Sequence, residues 1–496
     1  MRLSLATLNL LPAGIARPGH DPARLGAGIV HLGLGAFARA HLAAYTAPLL
    51  AADPSWGIAG VSLRRNDTET ALAPQDGLYT LAERDGGERL TVMGALAGLA
   101  TGSGPALDLL TRPQTRIATL TVTEKAYCRH AATGALDTDD PLIRHDLAAP
   151  HTPRSVPGIL VEALARRRAA GMAPFGVLCC DNLPANGQSV RRVVAELALL
   201  RDRSLGDFIA DSVAFPDTMV DRIVPATTDV DRASIDQALG LTDAWPVLCE
   251  GFRQWVIEDR FPQGRPEWEQ TGAELVADVG PYETMKLRLL NGAHSSIAYL
   301  GQLAGWETVA DAVAQPALRE HITALMAESA TTLQLPAGAD ATRYASALLG
   351  RFANPALRHR TRQIAMDGSQ KLPQRLFAPA LDRLRAGRTA PRIALGVAAW
   401  LHFLRGAADD GTRLPLDDPH AQRLREAASG APDALALRDA VLAMAGIVPP
   451  SLADHPGFAA DVLAAVESLA ARGTVATLTN WNDRHRSTDM GTDGAA

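Results

Sequence analysis

Residues 28–41 read GIVHLGLGAFARAH: an apolar run, Ile29 to Leu32, then Gly33-x-Gly35-x-x-Ala38 and an alanine-rich stretch. Strand, glycine turn and helix in that order are the context in which a G-x-G-x-x-G/A pattern carries meaning. The first glycine permits the tight turn, the second lets backbone approach a pyrophosphate, and a small third residue lets helix pack closely on strand. The helix N-terminus then receives the phosphates. Gly33, Gly35, Phe37, Ala38 and Arg39 are therefore expected on the side of a dinucleotide, and His41 is read as structural.

Outward from this turn, short β-rich runs alternate with Ala/Leu-rich helical stretches, among them Trp56 to Leu63, Ile117 to Val122 and Phe175 to Cys180. That rhythm predicts βαβ units and a parallel sheet. The near-continuous apolar runs IATLTV (117–122) and FGVLCC (175–180) have the composition of strands buried on both faces. After about Pro281 the β-rich runs nearly vanish and apolar positions recur every three or four residues. The expected fold class is α/β: a Rossmann-like doubly wound sheet in residues 1–280, then a mostly α-helical domain in residues 281–496 that opens with Pro281 in its first turn. The last stretch, NDRHRSTDMGTDGAA, is polar and is expected to fray from about residue 482.

Composition bounds the function. Of 496 residues 47% are hydrophobic and 21% charged, the balance of a globular chain. Lys plus Arg (48) against Asp plus Glu (54) leave a formal charge of -6, which argues against nucleic acid or an anionic membrane as partner. The four cysteines form no CxxC pair and no zinc spacing with histidine, so a reduced compartment and no metal are expected. The N-terminus shows no export signal, and runs such as Ile393 to Leu404 are too short to span a bilayer. The expectation is a cytoplasmic monomer or small homo-oligomer acting on a small molecule.

Polar residues gather where strands end: Thr123, Glu124 and Lys125 in TVTEKAYC, Asp181 and Asn182 in CDNLPANG, Asp221 and Arg222 in FPDTMVDRIVPAT. Open α/β sheets bind ligands at the carboxyl ends of strands. After Trp56 to Leu63, where an acidic residue would hold the adenosine ribose, the chain reads Arg64-Arg65-Asn66-Asp67. Asp67 could accept a 2'-hydroxyl and the arginines a 2'-phosphate, so NAD is expected with NADP open. The densest chemical stretch is PYETMKLRLLNGAHSS (281–296), with Glu283, Lys286, Asn291 and His294. At about 100° per residue, taking Lys286 as zero, Glu283 falls near 60°, His294 near 80° and Asn291 near 140°. One helical side could present all four.

These stretches together resemble the mannitol dehydrogenase family of polyol-specific long-chain dehydrogenases. The resemblance rests on IVHLGLGAFARAH (29–41), TLTVTEKAYC (119–128), CDNLPANG (180–187), FPDTMVDRIVPAT (215–227), CEGFRQWVIEDRF (249–261), YETMKLRLLNGAHS (282–295) and RFANPALRHRTRQIAMDGSQKLPQRL (351–376), which follow the family's order along nearly the whole chain. The family's Lys-x4-Asn-x2-His signature is matched by Lys286, Asn291 and His294. The resemblance implies Lys286 as catalytic acid/base without a metal, Asn182 and Asn291 as amides polarising the carbonyl oxygen, and Glu283 as a proton relay. Such a lysine starts near pKa 10.4 and must fall toward about 7–8 to accept a proton at neutral pH, which burial can achieve. His294 would orient the reacting hydroxyl. Ala126 stands where the family usually has glycine.

A uronate differs from a polyol by a carboxylate, best met by a planar arginine. Arg358, His359 and Arg362 concentrate positive charge before DGSQK, with Arg358 and Arg362 at helical spacing and Lys371 as a further substrate contact. Members acting on mannitol carry an arginine near Gln363 and read VTEGGY where this chain has VTEKAY. The implied reaction is reversible reduction of D-fructuronate to D-mannonate with NADH. Mannitol oxidation to fructose, or another polyol or uronate, is the alternative within the family. A non-catalytic NAD-binding regulator is the remote alternative, which would have no need for Lys286, Asn182, Asn291 and His294 together.

Overall fold

The computed structural model describes residues 1–130, 133–336 and 338–489, and the chain divides into two compact units, Met1–Gly280 and Pro281–Ala496. Among the described residues the first carries all the strands: β1 (Ile29–Leu32), β2 (Ile58–Ser62), β3 (Tyr79–Arg84), β4 (Glu88–Met93), β5 (Leu96–Thr101), β6 (Ile117–Leu120), β7 (Gly176–Cys179), β8 (Thr218–Asp221), β9 (Val247–Cys249), β10 (Gln254–Glu258) and β11 (Glu274–Val276). Five of them form one parallel sheet in the order β5-β2-β1-β6-β7. Counted along the chain among themselves these run 3-2-1-4-5, the Rossmann order, which reverses between β1 and β6. That reversal opens a crevice at the carboxyl ends of these two strands.

Alternate residues of the central strands enter different cores. Val30, Ala59, Ala118 and Val177 join a cluster with the helices Ser103–Leu110, Val156–Ala169 and Asn186–Arg201. Ile29, Ile58, Ile117 and Leu178 join another with the short helices Ala36–Ala40 and Leu42–Thr46. The sheet is thus buried on both faces, as its apolar runs require. Two smaller sheets, β4-β3-β9 and β11-β10-β8, complete the second face with Leu81, Val247, Val220 and Trp255. His31 of β1 is fully buried; its Nδ1 pairs with Thr119 Oγ1 at 2.8 Å and its Nε2 with Thr121 Oγ1 at 2.9 Å, tying β1 to β6.

The second unit is helical. Gly292–Ala304 and Pro391–Phe403 are buried nearly all round and form its centre, against which Pro316–Ala330 and Ala341–Phe352 pack. The chain from Pro456 to Asp489 is helical but broken at Gly473, where φ is 74°. Pro456–Arg486 is long and apolar enough to cross a membrane by composition, yet Phe458, Val462, Val466, Leu469 and Trp481 are buried in the unit's core. The segment from residue 482 expected to fray is helical to Asp489. Asn482 is buried, accepts from Arg392 Nη1 at 2.8 Å and donates to Ala317 O at 2.8 Å, so two side-chain bonds hold what composition alone marked as tail. Residues 490–496 lie outside the described residues.

Candidate active site

In the N-terminal unit the site begins at the glycine turn. Gly33 has φ 93°, and a Cβ there would lie 2.2 Å from Thr121 O, so conformation and space both demand glycine. A Cβ on Gly35 would meet nothing nearer than Gly33 O at 3.8 Å, which leaves its backbone open to a ligand. Ala38 is buried against the sheet, and Phe37 stacks on His41 with ring centroids 5.0 Å apart. His41 itself is fully buried, its Nε2 3.0 Å from Gln254 O.

The ends of β6 and β7 lie beside this turn. Thr123 takes φ 76° and ψ 154°, a region almost reserved for glycine that costs on the order of 1–3 kcal/mol. The Asp181 carboxylate stands behind it: it accepts from Val122 N–H at 2.9 Å, Thr123 N–H at 3.4 Å and the Tyr127 hydroxyl at 2.7 Å. Burial raises the Asp181 pKa, and these three donors oppose the shift. Thr123, Glu124 and Asn182 are exposed on this edge.

Three residues expected on the cofactor side have partners within the N-terminal unit. Arg39 is buried; its guanidinium donates to Trp245 O and to Gly35 O and lies over the Tyr79 ring, which braces the turn it follows. Asp67 pairs with Arg65 at the surface. Asp221 is buried on β8, paired in register with Gln254 of β10, and so ends a strand of a small sheet and not of the central one.

In the C-terminal unit the helix Gly280–Met285 passes into a π-helical turn, Lys286–Asn291, before Gly292–Ala304 resumes α geometry. Gly292 N–H bonds Leu287 O, five residues back. This alters the angles expected for an uninterrupted α-helix. A π turn advances roughly 85° per residue, which places Asn291 about 65° and His294 about 5° from Lys286, closer than α geometry would bring them. Lys286, Asn291 and His294 are 5%, 7% and 6% exposed, and Glu283 sits half-buried one turn earlier.

A second π turn, Pro373–Phe377, packs on the first. A Cβ on Gly292 would lie 2.9 Å from Arg375 O, so only glycine permits this approach. Gly292→Ala is expected to cost about 1–3 kcal/mol of stability by overpacking. Calorimetry checks it beside Gly350→Ala, where a Cβ meets nothing within 4 Å and a helix-favouring gain of about 0.5–1 kcal/mol is expected.

His294 lies among Phe352 and His359, with ring centroids 4.6 and 5.3 Å away. Burial holds its pKa well below 6.5, helped by His359, Arg351, Arg375 and Lys286. It is therefore a neutral imidazole at physiological pH, and its buried Nε2 has no hydrogen-bond partner among the described residues. An orphaned buried nitrogen beside a lysine and an amide marks a place for a ligand hydroxyl. Burial lowers His359 to about 4.

The arginines around His294 differ from those singled out by sequence. Arg358 has φ 45° and the helix begins only at Thr361, so Arg358 and Arg362 share no helical face; both are exposed. Lys371 donates to Met366 O at 2.6 Å. Arg375, whose Nη1 is 3.2 Å from Ser295 Oγ, and Arg351 lie close enough to His294 to lower its pKa. Their signal in the sequence was weak, since each is one arginine among many near the motif.

Comparison with known proteins identifies the family. The mannitol dehydrogenase Rossmann domain matches residues 27–270 and the mannitol dehydrogenase C-terminal domain residues 278–470. A D-mannonate oxidoreductase of Escherichia coli (strain K12) is 46% identical over 473 residues, covering 92% of this chain and 96% of its own. A mannitol 2-dehydrogenase of Phaeosphaeria nodorum is 37% identical over 499 residues, covering 97% of this chain and 87% of its own. The solved ternary complex of Pseudomonas fluorescens mannitol 2-dehydrogenase with NAD and D-mannitol matches with a TM-score of 0.90 at 36% identity, covering 98% of this chain and 100% of that one. The chain belongs to the mannitol dehydrogenase family of oxidoreductases, which act on CH–OH groups.

Proposed function

We propose that the chain is a cytoplasmic, metal-independent, NAD-dependent oxidoreductase that reversibly reduces D-fructuronate to D-mannonate. The observation that carries the substrate is the charge around His294: the guanidiniums of Arg351 and Arg375 bear on it, beside the Lys286 amine. A polyol asks only for hydroxyl partners. A sugar acid brings a carboxylate whose lost hydration a guanidinium replaces with two parallel hydrogen bonds. The 46% identity to a D-mannonate oxidoreductase supports the same choice, and the relative's complex with NAD supports the cofactor.

The residues fit a dinucleotide: Gly33 makes the turn and Gly35 leaves the backbone open for a pyrophosphate. When bound, the nicotinamide supplies or accepts the hydride. Lys286 donates the proton to the carbonyl oxygen during reduction and removes it during oxidation. Asn291 offers its amide N–H group to that oxygen as it gains charge. His294, neutral, holds a neighbouring hydroxyl through Nε2, and Glu283 passes the proton onward.

Initial rates of NADH oxidation with D-fructuronate and D-fructose, with and without a chelator, test this reading. A strong preference for fructuronate that survives the chelator is expected; preference for fructose would make the chain a mannitol 2-dehydrogenase. Arg375→Leu should lower kcat/KM for fructuronate about 100-fold, or about 3 kcal/mol, with a much smaller loss for fructose. Equal losses on both substrates would remove Arg375 as carboxylate partner.

A further inference from the structure

We infer that Asp181 is a positioning residue which, through Thr123, holds the turn from Val122 to Tyr127 in the shape that receives the dinucleotide; the inference rests on the dinucleotide reading above. The turn sits at the switch point of the sheet. A Cβ at Gly33 would meet Thr121 O at 2.2 Å and Val122 Cγ1 at 2.9 Å, so the turn and the glycine turn are in contact. Thr123 occupies a conformation that only glycine adopts freely, and such a residue persists only where its surroundings hold it.

The surroundings that hold it are the Asp181 carboxylate. One oxygen takes Val122 N–H at 2.9 Å and the Tyr127 hydroxyl at 2.7 Å; the other faces Thr123 N–H at 3.4 Å. The two ends of the turn are thus fastened to one side chain. Asp181 is itself fixed from behind: its carbonyl accepts from Leu183 N–H at 2.9 Å and Asn186 Nδ2 at 3.1 Å. Asn186 Nδ2 also donates to Cys179 O at 3.0 Å, anchoring the DN pair to the end of β7. An acceptor for three donors explains an aspartate here. Asparagine keeps the shape but presents one acceptor oxygen and one amide nitrogen that cannot take an N–H.

The test measures Kd for NADH by isothermal titration calorimetry on the full chain, with thermal unfolding alongside. The variants are Asp181→Asn, Thr123→Gly and the double variant. Asp181→Asn is expected to weaken NADH binding about 10-fold, because the strained turn relaxes. Made in the Thr123→Gly background the same change should cost less than about threefold, because glycine needs no brace; the coupling isolates the role. A loss of equal size in both backgrounds, or a change in Tm with Kd unmoved, would overturn the inference and leave Asp181 a structural residue. Wild-type chain that binds no NADH would overturn the dinucleotide reading and this inference with it.

Discussion

Lys286→Ala is expected to lower kcat about 10³-fold, or about 4 kcal/mol of barrier, while Kd for NADH stays within about twofold. The first half of this expectation follows from placement. Lys286 opens the π turn, is 5% exposed and shares a helical side with Asn291 and His294, the only part of that unit where amine, amide and neutral imidazole converge among the described residues. The second half follows from the division of the chain: the glycine turn lies in Met1–Gly280, whereas Lys286 lies in Pro281–Ala496. Single-turnover reduction with saturating NADH separates the two. A variant that keeps kcat but raises KM would show that Lys286 binds substrate by its charge and that another group moves the proton.

The central sheet was legible because its signal is local and dense. IATLTV and FGVLCC become β6 and β7, and the run before Gly33 becomes β1, since continuous apolar residues next to a glycine turn leave a buried parallel strand as the favourable solution. The Lys-x4-Asn-x2-His spacing was legible as a motif but not as geometry. Nothing in KLRLLN announces a π turn, which ends at Gly292 against Arg375, some 80 residues apart in sequence. The five-residue spacing of Lys286 and Asn291 is itself one π turn, a reason for the motif that α-helical angles obscured.

What escaped the sequence depends on distant partners. Arg39 follows a glycine turn and reads as a ligand contact; it is buried because Trp245 O, 206 residues away, accepts from it. The strain at Thr123 and its brace on Asp181 join segments 58 residues apart. Arg358 and Arg362 were singled out for local charge density, whereas Arg351 and Arg375 act on His294 through a nearness that only the folded chain creates. Charge density along a sequence measures solvation as much as function, and burial of the imidazole distinguishes the two.

Acid is expected to destabilise the protein well above the range where carboxylates titrate. His31, His41 and His321 are fully buried, and desolvation lowers them to about 4, 3 and 3. Each is neutral in the folded chain, while its unfolded counterpart takes a proton near pH 6.5. As pH falls below 6.5 the unfolded state binds protons that the folded state refuses, so stability drops by about 1.4 kcal/mol per pH unit for each histidine until the folded value is reached. Glu328 works in the opposite sense: burial raises it to about 7, so the folded state binds its proton first and gains stability as pH falls toward 4.5. Among these four groups, three losses against one gain leave a net slope of about two protons, or about 4 kcal/mol between pH 6.5 and 5, a large part of a stability of about 5–15 kcal/mol, and His294 and His359, also lowered by burial, act in the same direction. Urea midpoints at pH 7, 6 and 5 measure the slope directly. A flat profile would mean that these imidazoles take up protons without unfolding, and His321→Gln should remove about one proton from the slope if they do not.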